Sequence, residues 1–318
     1  MKKLALNQLR LDLRIRPKTA LLIKAGDKGL SSLHPERPDM TFVRTGPRAT
    51  DTVYLPGASL KGVVRAAAER VLRSVEVRCC DPLDARGPCQ KLASERGDKI
   101  ARSRELRESA HPFAEVYASV CYACRTFGSQ AVASRALFSD AMPASGEERE
   151  LANRTEERSG VSIDRRTGGP ARGKLFSSEV VTGGSFDTSL HLENFQLWQA
   201  GLLWIVLSDL KEGFVRLGSA KSRGLGHVDV EIRGGVYTQR GTTAGDEIRG
   251  VSALADGLDA YAFVAPEADR AAGFSQPQTV GLFGARKWEW RDEPSATAFL
   301  DACVGAPWEA FCERAERP

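Results

Sequence analysis

Cys121 and Cys124 stand two residues apart, the spacing of a metal knuckle, and Cys80 and Cys89 could supply the other two thiolates of a tetrahedral zinc site. Cys79 competes with Cys80 for that role. Cys80 is preferred because "CDP" begins a turn that can aim its thiolate inward, and His111 is a substitute ligand. Four protein ligands leave no open coordination position, so such a metal is structural. Free buried cysteines are the plainer alternative, and Cys303 and Cys312 read as core residues. No long apolar stretch and no secretory leader core follow Met1, so the chain reads as cytoplasmic, with no membrane partner, where clustered cysteines favour metal over disulfides.

A second chemistry is anion binding. "YLPGASLKGVVRAAAERVL" (Tyr54–Leu72) opens a helix on small residues, with Ser59, Lys61 and Arg65 beside backbone N–H groups that favour an anion. "RLGSAKSRGLGHV" (Arg216–Val228) combines three glycines with Lys221, Ser222 and Arg223, a nest suited to phosphates. It lacks the spacing of a Walker loop or a dinucleotide fingerprint. Of 45 Lys/Arg and 41 Asp/Glu, residues 241–318 hold 7 and 13, which leaves 38 and 28 for residues 1–240. A basic body with an acidic C-terminal region suggests a polyanionic partner for the body. A carboxylate for chemistry stands in the long polar loop of residues 27–52, where Asp39 is the first candidate and His34 and Asp51 are weaker ones.

The elements that must position these groups can be read from pattern. "LNQLRLDLRIR" alternates apolar and charged residues, the period of a strand with one wet, positive face. A helix follows from Gly57 with a stripe of Val63, Val64, Ala67, Val71 and Leu72. A cysteine insertion spans about 76–128, and "ASRALFSDA" reads as a strand after a glycine turn. "GEERELANRTEERSGVSIDRRTGGPARGKLFSSEVV" reads as a basic loop opening into a strand, and "SFDTSLHLEN" as the next strand. Phe195–Gly213 reads as an amphipathic helix closed by glycine, and the region from Gly234 as the start of a linker. This order fits an α+β fold. Its core is a ferredoxin-like (RRM-like) β-α-β-β-α-β unit with a long loop, a zinc-binding insertion and a C-terminal extension.

Taken in order, "YLPGASLKGVVRAAAERVL", "CYACRTFGS", "ASRALFSDA", "VSIDRRTGGPARGKLFSSEVVTGGSFD" and "LGSAKSRGLGHV" resemble the RAMP superfamily, above all the backbone subunits of type III CRISPR effector complexes. The resemblance covers about residues 6–232 and implies an RNA-binding domain over 1–232, with 233–318 an extension outside it. It implies a subunit that stacks in several copies on a guide (crRNA), beside other type III subunits, and holds the complementary target RNA. Ser59, Lys61, Arg65, Lys221, Ser222 and Arg223 would contact the guide backbone, and Arg165 and Arg166, with Arg172 and Lys174, would border the guide–target groove. Zinc at Cys80, Cys89, Cys121 and Cys124 agrees with modules of related subunits. Asp39 falls where target-cleaving members carry an aspartate, which implies an endoribonuclease dependent on Mg2+ or another divalent cation. A non-catalytic subunit, or a repeat-RNA-processing endonuclease using His34, are the other readings.

Overall fold

The fold is described by a computed structural model for residues 4–26, 38–46, 51–81, 83–84, 89, 112–240, 247–254, 261–274, 278–280 and 284–317. The strands are β1 (Asn7–Pro17), β2 (Arg44–Thr45), β3 (Thr52–Val53), β4 (Ala136–Phe138), β5 (Met142–Pro143), β6 (Thr155–Ile163), β7 (Pro170–Val181), β8 (Phe186–Glu193), β9 (Val228–Gln239), β10 (Ile248–Arg249), β11 (Arg270–Ala271), β12 (Gln278–Val280) and β13 (Ala285–Trp290). The helices are α1 (Gly57–Ser74), α2 (Pro112–Ser119), α3 (Tyr122–Phe127), α4 (Glu147–Asn153), α5 (Leu197–Glu212), α6 (Glu293–Val304) and α7 (Ala306–Arg314).

One antiparallel sheet organises the molecule, in the order β12-β13-β9-β1-β8-β4, with β5 also on β8. The two-residue period of β1 explains its central place. Leu9, Leu11, Leu13 and Ile15 all point into the core, while Arg10, Asp12, Arg14 and Arg16 face away from it. From α1, Leu60, Val64, Ala67 and Leu72 enter the same core. The wet face of β1 is not a positive one. Arg14 forms a two-bond pair with Asp187 of β8 at 2.6 and 2.7 Å, Arg16 meets Glu231 of β9 at 2.6 Å, and Arg10 meets Asp12 at 3.2 Å. Such surface pairs stabilise little, but they cancel the charge that the β1 sequence displays alone. Their partners on β8 and β9 lie 173 and 215 residues away.

The helix α5 is buried on nearly every side rather than amphipathic: Leu197, Trp198, Leu202, Leu203, Val206, Leu207 and Leu210 are all buried. A helix apolar all round needs cover all round, and α1, the sheet, α6 and α7 provide it. It ends at Gly213 in the left-handed conformation. Residues 234–239, which read as the start of a linker, instead continue β9 and pair with both β1 and β13. Trp288 and Trp290 enter the core from β13, and on α7 Phe311 stacks on Trp198 at 4.0 Å and meets Tyr122 edge-on at 5.0 Å. The segment read as a basic loop before a strand is α4 followed by a long β6–β7 hairpin.

Candidate nucleic-acid interface and metal centre

The four cysteines named from spacing converge. Cys80, Cys89, Cys121 and Cys124 are all buried, and their sulfurs lie within 4.8 Å of one another. Cys80 Sγ is 3.6 Å from Cys124 Sγ and 3.4 Å from Cys121 Sγ. Zn–S bonds of about 2.3 Å in a tetrahedron place sulfurs about 3.8 Å apart, so the set fits a zinc ion with minor expansion. Cys79, the competitor, is half-buried and stands outside the group of four, though its thiol touches Cys121. Thiols donating to Cys121, Cys124 foremost, lower its pKa, and the same contacts raise those of Cys80 and Cys124, as in a cluster that shares one negative charge. The site could therefore hold a metal such as zinc. His111, the substitute ligand, lies outside the described residues.

Helix α1 splits the contacts expected of it. At 100° per residue, Ser59, Ala66 and Arg70 share one face with Gly62 at its edge, while Lys61 stands half a turn from Arg70 and Arg65 lies to the side. Arg65 is committed to the cysteine side: Nε donates to Glu69 Oε1 at 2.8 Å, Nη1 to the Gly128 carbonyl at 2.9 Å and Nη2 to Cys124 Sγ at 3.6 Å. Its guanidinium is thus held within the chain by three groups.

The glycine at the start of α1 has a different reason from the one expected. A Cβ on Gly57 would lie 2.4 Å from the Phe138 carbonyl oxygen, so the residue is small because β4 passes over it. Its N–H is taken, too: Asp140 Oδ1 accepts it at 2.7 Å. The anion that the helix N-terminus favours is thus a carboxylate of the chain itself. Gly62, by contrast, is exposed, and a Cβ added there would meet nothing within 4 Å.

In the glycine-rich segment the backbone is likewise occupied. Ser219 N donates to Leu22 O at 2.7 Å, Gly226 N to Ala20 O at 2.9 Å and Leu217 N to Gly226 O at 2.9 Å. Gly218, at φ +75°, has its Cβ position 2.2 Å from Leu22 O, so it is small because the backbone of the segment after β1 passes close to it. What faces solvent is the tip, Lys221, Ser222, Arg223 and Gly224. Burial and then the charge of Arg70 lower the Lys221 pKa, which places these two cations in one field. Among the described residues neither has a carboxylate partner. Arg70 was not singled out from sequence; its place on the Ser59–Gly62–Ala66 face was the available signal.

The same segment touches β7 one residue from the contact that holds Asp39. Arg223 lies over the Phe176 ring at 5.7 Å, and the neighbouring Ser177 donates its N–H to Asp39 Oδ2 at 2.8 Å. Asp39 is exposed at the root of the β6–β7 hairpin, where Met40 pairs with Ser178. Arg165 and Arg166 are exposed at the hairpin tip, in a turn that Asp164 closes by accepting from Arg166 N and Thr167 N. Seven residues of strand separate that tip from the Asp39 contact, about 20 Å or slightly more. Asp51 is exposed before β3, and His34 lies outside the described residues.

No curated protein matches the chain. A family model described as the RAMP superfamily matches residues 14–229, a span that takes in the end of β1, α1, the cysteine site, the hairpin and the glycine-rich segment. Proteins of this superfamily generally bind CRISPR RNA and other subunits of CRISPR complexes. No described helix is long and apolar enough to cross a membrane. With more than half its length matched, the chain belongs to the RAMP superfamily.

Proposed function

We propose that the chain is a guide-RNA-binding backbone subunit of a type III CRISPR effector complex, assembling in several copies on crRNA and holding the complementary target RNA. Residues 1–232 carry the RNA-binding unit, with β1-α1-β4-β8-α5-β9 as its ferredoxin-like core. Their spatial order, β9-β1-β8-β4, supports that assignment. The described residues of 233–318 pack against α5 and the cysteine module.

The guide backbone runs between the Ser59–Gly62–Ala66–Arg70 face of α1 and the Lys221–Ser222–Arg223 tip. The observation that carries this reading is the exposed, small-residue face of α1 that ends in Arg70, with the exposed Lys221 tip near enough to feel its charge; among the described residues neither cation has a carboxylate partner. Contacts of this kind bind phosphate and ribose, so recognition is largely independent of sequence and falls steeply with salt. Lys61 lies on the far face and contributes less.

Target cleavage is assigned to Asp39. Ser177 fixes one carboxylate oxygen, and the other could hold Mg2+ or orient a ribose 2′-hydroxyl toward its own phosphate. Arg165, Arg166, Arg172 and Lys174 on the hairpin brace the paired strands. Purified from a host that carries a CRISPR array, the protein is expected to bring down short RNA with repeat-derived sequence. Asp39→Ala is expected to retain that RNA and abolish cleavage of a complementary target; cleavage at the parental rate would leave a non-catalytic subunit.

A further inference from the structure

We propose that Arg65 is the charge-compensating anchor of the cysteine metal site, tying that site to the guide-facing helix α1. A divalent ion bound by four thiolates carries two net negative charges, and this one is buried. Among the described residues one guanidinium reaches a ligand sulfur directly: Arg65 Nη2, 3.6 Å from Cys124 Sγ. Its other donors fix the fork. Nη1 holds the Gly128 carbonyl just past α3, and Nε holds Glu69 one turn along α1.

The arrangement continues along the helix. Glu69, with a side chain 8% exposed, lies between Arg65 and Arg73, whose Nη2 is 3.7 Å from its second oxygen. Arg73 Nη2 in turn donates to the Cys80 carbonyl at 2.9 Å. Thus α1 grips both halves of the ligand set, Cys124 through a sulfur and Cys80 through its backbone. The backbone N–H of Cys121 adds a bond to Cys89 Sγ at 3.3 Å. Hydrogen bonds of this outer kind orient ligands and tune the metal. A lysine would bring the charge but not the three-way fork.

The inference rests on the four cysteines holding metal, so the metal content of the unaltered protein is measured first; a chain that binds no metal overturns that reading and this one with it. On metal-loaded protein, Arg65→Met is expected to release zinc to a competing chelator about 10- to 100-fold faster. In the Co2+-substituted form, its thiolate-to-metal charge-transfer band is expected to move to lower energy, because one thiolate has lost a donor. Arg65→Lys should fall between parent and Arg65→Met in release rate. Parental release rates and an unmoved band would overturn the proposal while leaving the metal site standing. Should Arg65→Met fail to fold, the unaltered protein decides. One guanidinium of 15N-arginine-labelled protein is expected to exchange slowly with solvent when 113Cd is bound and to shift when it is removed. An arginine spectrum indifferent to the metal would overturn the proposal.

Discussion

Two glycines of α1 should respond oppositely to the same substitution. At Gly57 an added methyl group meets three backbone atoms, Phe138 O at 2.4 Å and the Ser139 carbonyl carbon and oxygen at 3.0 Å. Backbone cannot rotate aside as a side chain does, so β4 or the helix start must move. Overpacking of this kind costs about 1–3 kcal/mol, and the displaced Asp140 contact costs about 1 kcal/mol more. Gly57→Ala is therefore expected to lower the melting temperature by roughly 5 °C or more. Gly62→Ala meets nothing within 4 Å and sits in an exposed helix interior. It should raise stability by about 0.5–1 kcal/mol through helix propensity. The same methyl group stands on the face assigned to the guide, so it should weaken RNA binding measurably at fixed salt. Thermal melts and filter binding on both variants give the four numbers. A neutral or stabilising Gly57→Ala would refute the packing argument, and a Gly62→Ala protein that binds RNA like the parent would refute the placement of the guide.

Other outcomes follow from the same geometry. Stripping the metal with a chelator should lower the melting temperature and release one zinc per chain, and Cys124→Ser should remove the ion; retention of zinc by Cys124→Ser would exclude that ligand. Asp269, fully buried, has its carboxyl pushed up to about 6 by burial, against 3.8 in the open chain. A raised folded-state value means its contribution is full below about pH 4 and lost as pH rises through 6, about 3 kcal/mol in all. The stability gap between parent and Asp269→Ala should therefore shrink from pH 4 to pH 7, and a widening gap would contradict the direction. Asp140→Ala should cost about 1 kcal/mol as a lost helix cap, read by denaturant titration; no loss would mean that water caps Gly57 equally well.

Local signals in the sequence were legible. The glycine stop of α5 at Gly213 and the pairing of Cys121 with Cys124 follow from rules that act within a few residues, and Cys80 and Cys89 were the cysteines left to complete a set of four. What the sequence hid was remote. Asp140 caps α1 from 83 residues away, and Asp269 reaches the first N–H of α5 from 72 residues away. Both helices thus begin on carboxylates that no local pattern announces. The apparent positive face of β1 vanished for the same reason, since Asp187 and Glu231 arrive only when β8 and β9 pair with it. The glycines suggested a phosphate nest, but Gly218 and Gly226 clear backbone carbonyls, and the sequence cannot distinguish a close ligand from a close stretch of its own backbone. The α1 cations were separable in principle, because Arg70 and Lys61 differ by half a turn of phase. Choosing between them needed the position of Lys221.

In the proposed subunit the guide lies between α1 and the Lys221 tip. Reversing both charges, Arg70→Glu with Lys221→Glu, should strip co-purifying RNA from a protein that still melts cooperatively. It should also flatten the salt dependence of binding by about 1.4 in log–log slope, the equivalent of two phosphate contacts. A doubly reversed protein that carries short RNA at the parental level, with the parental slope, would contradict it.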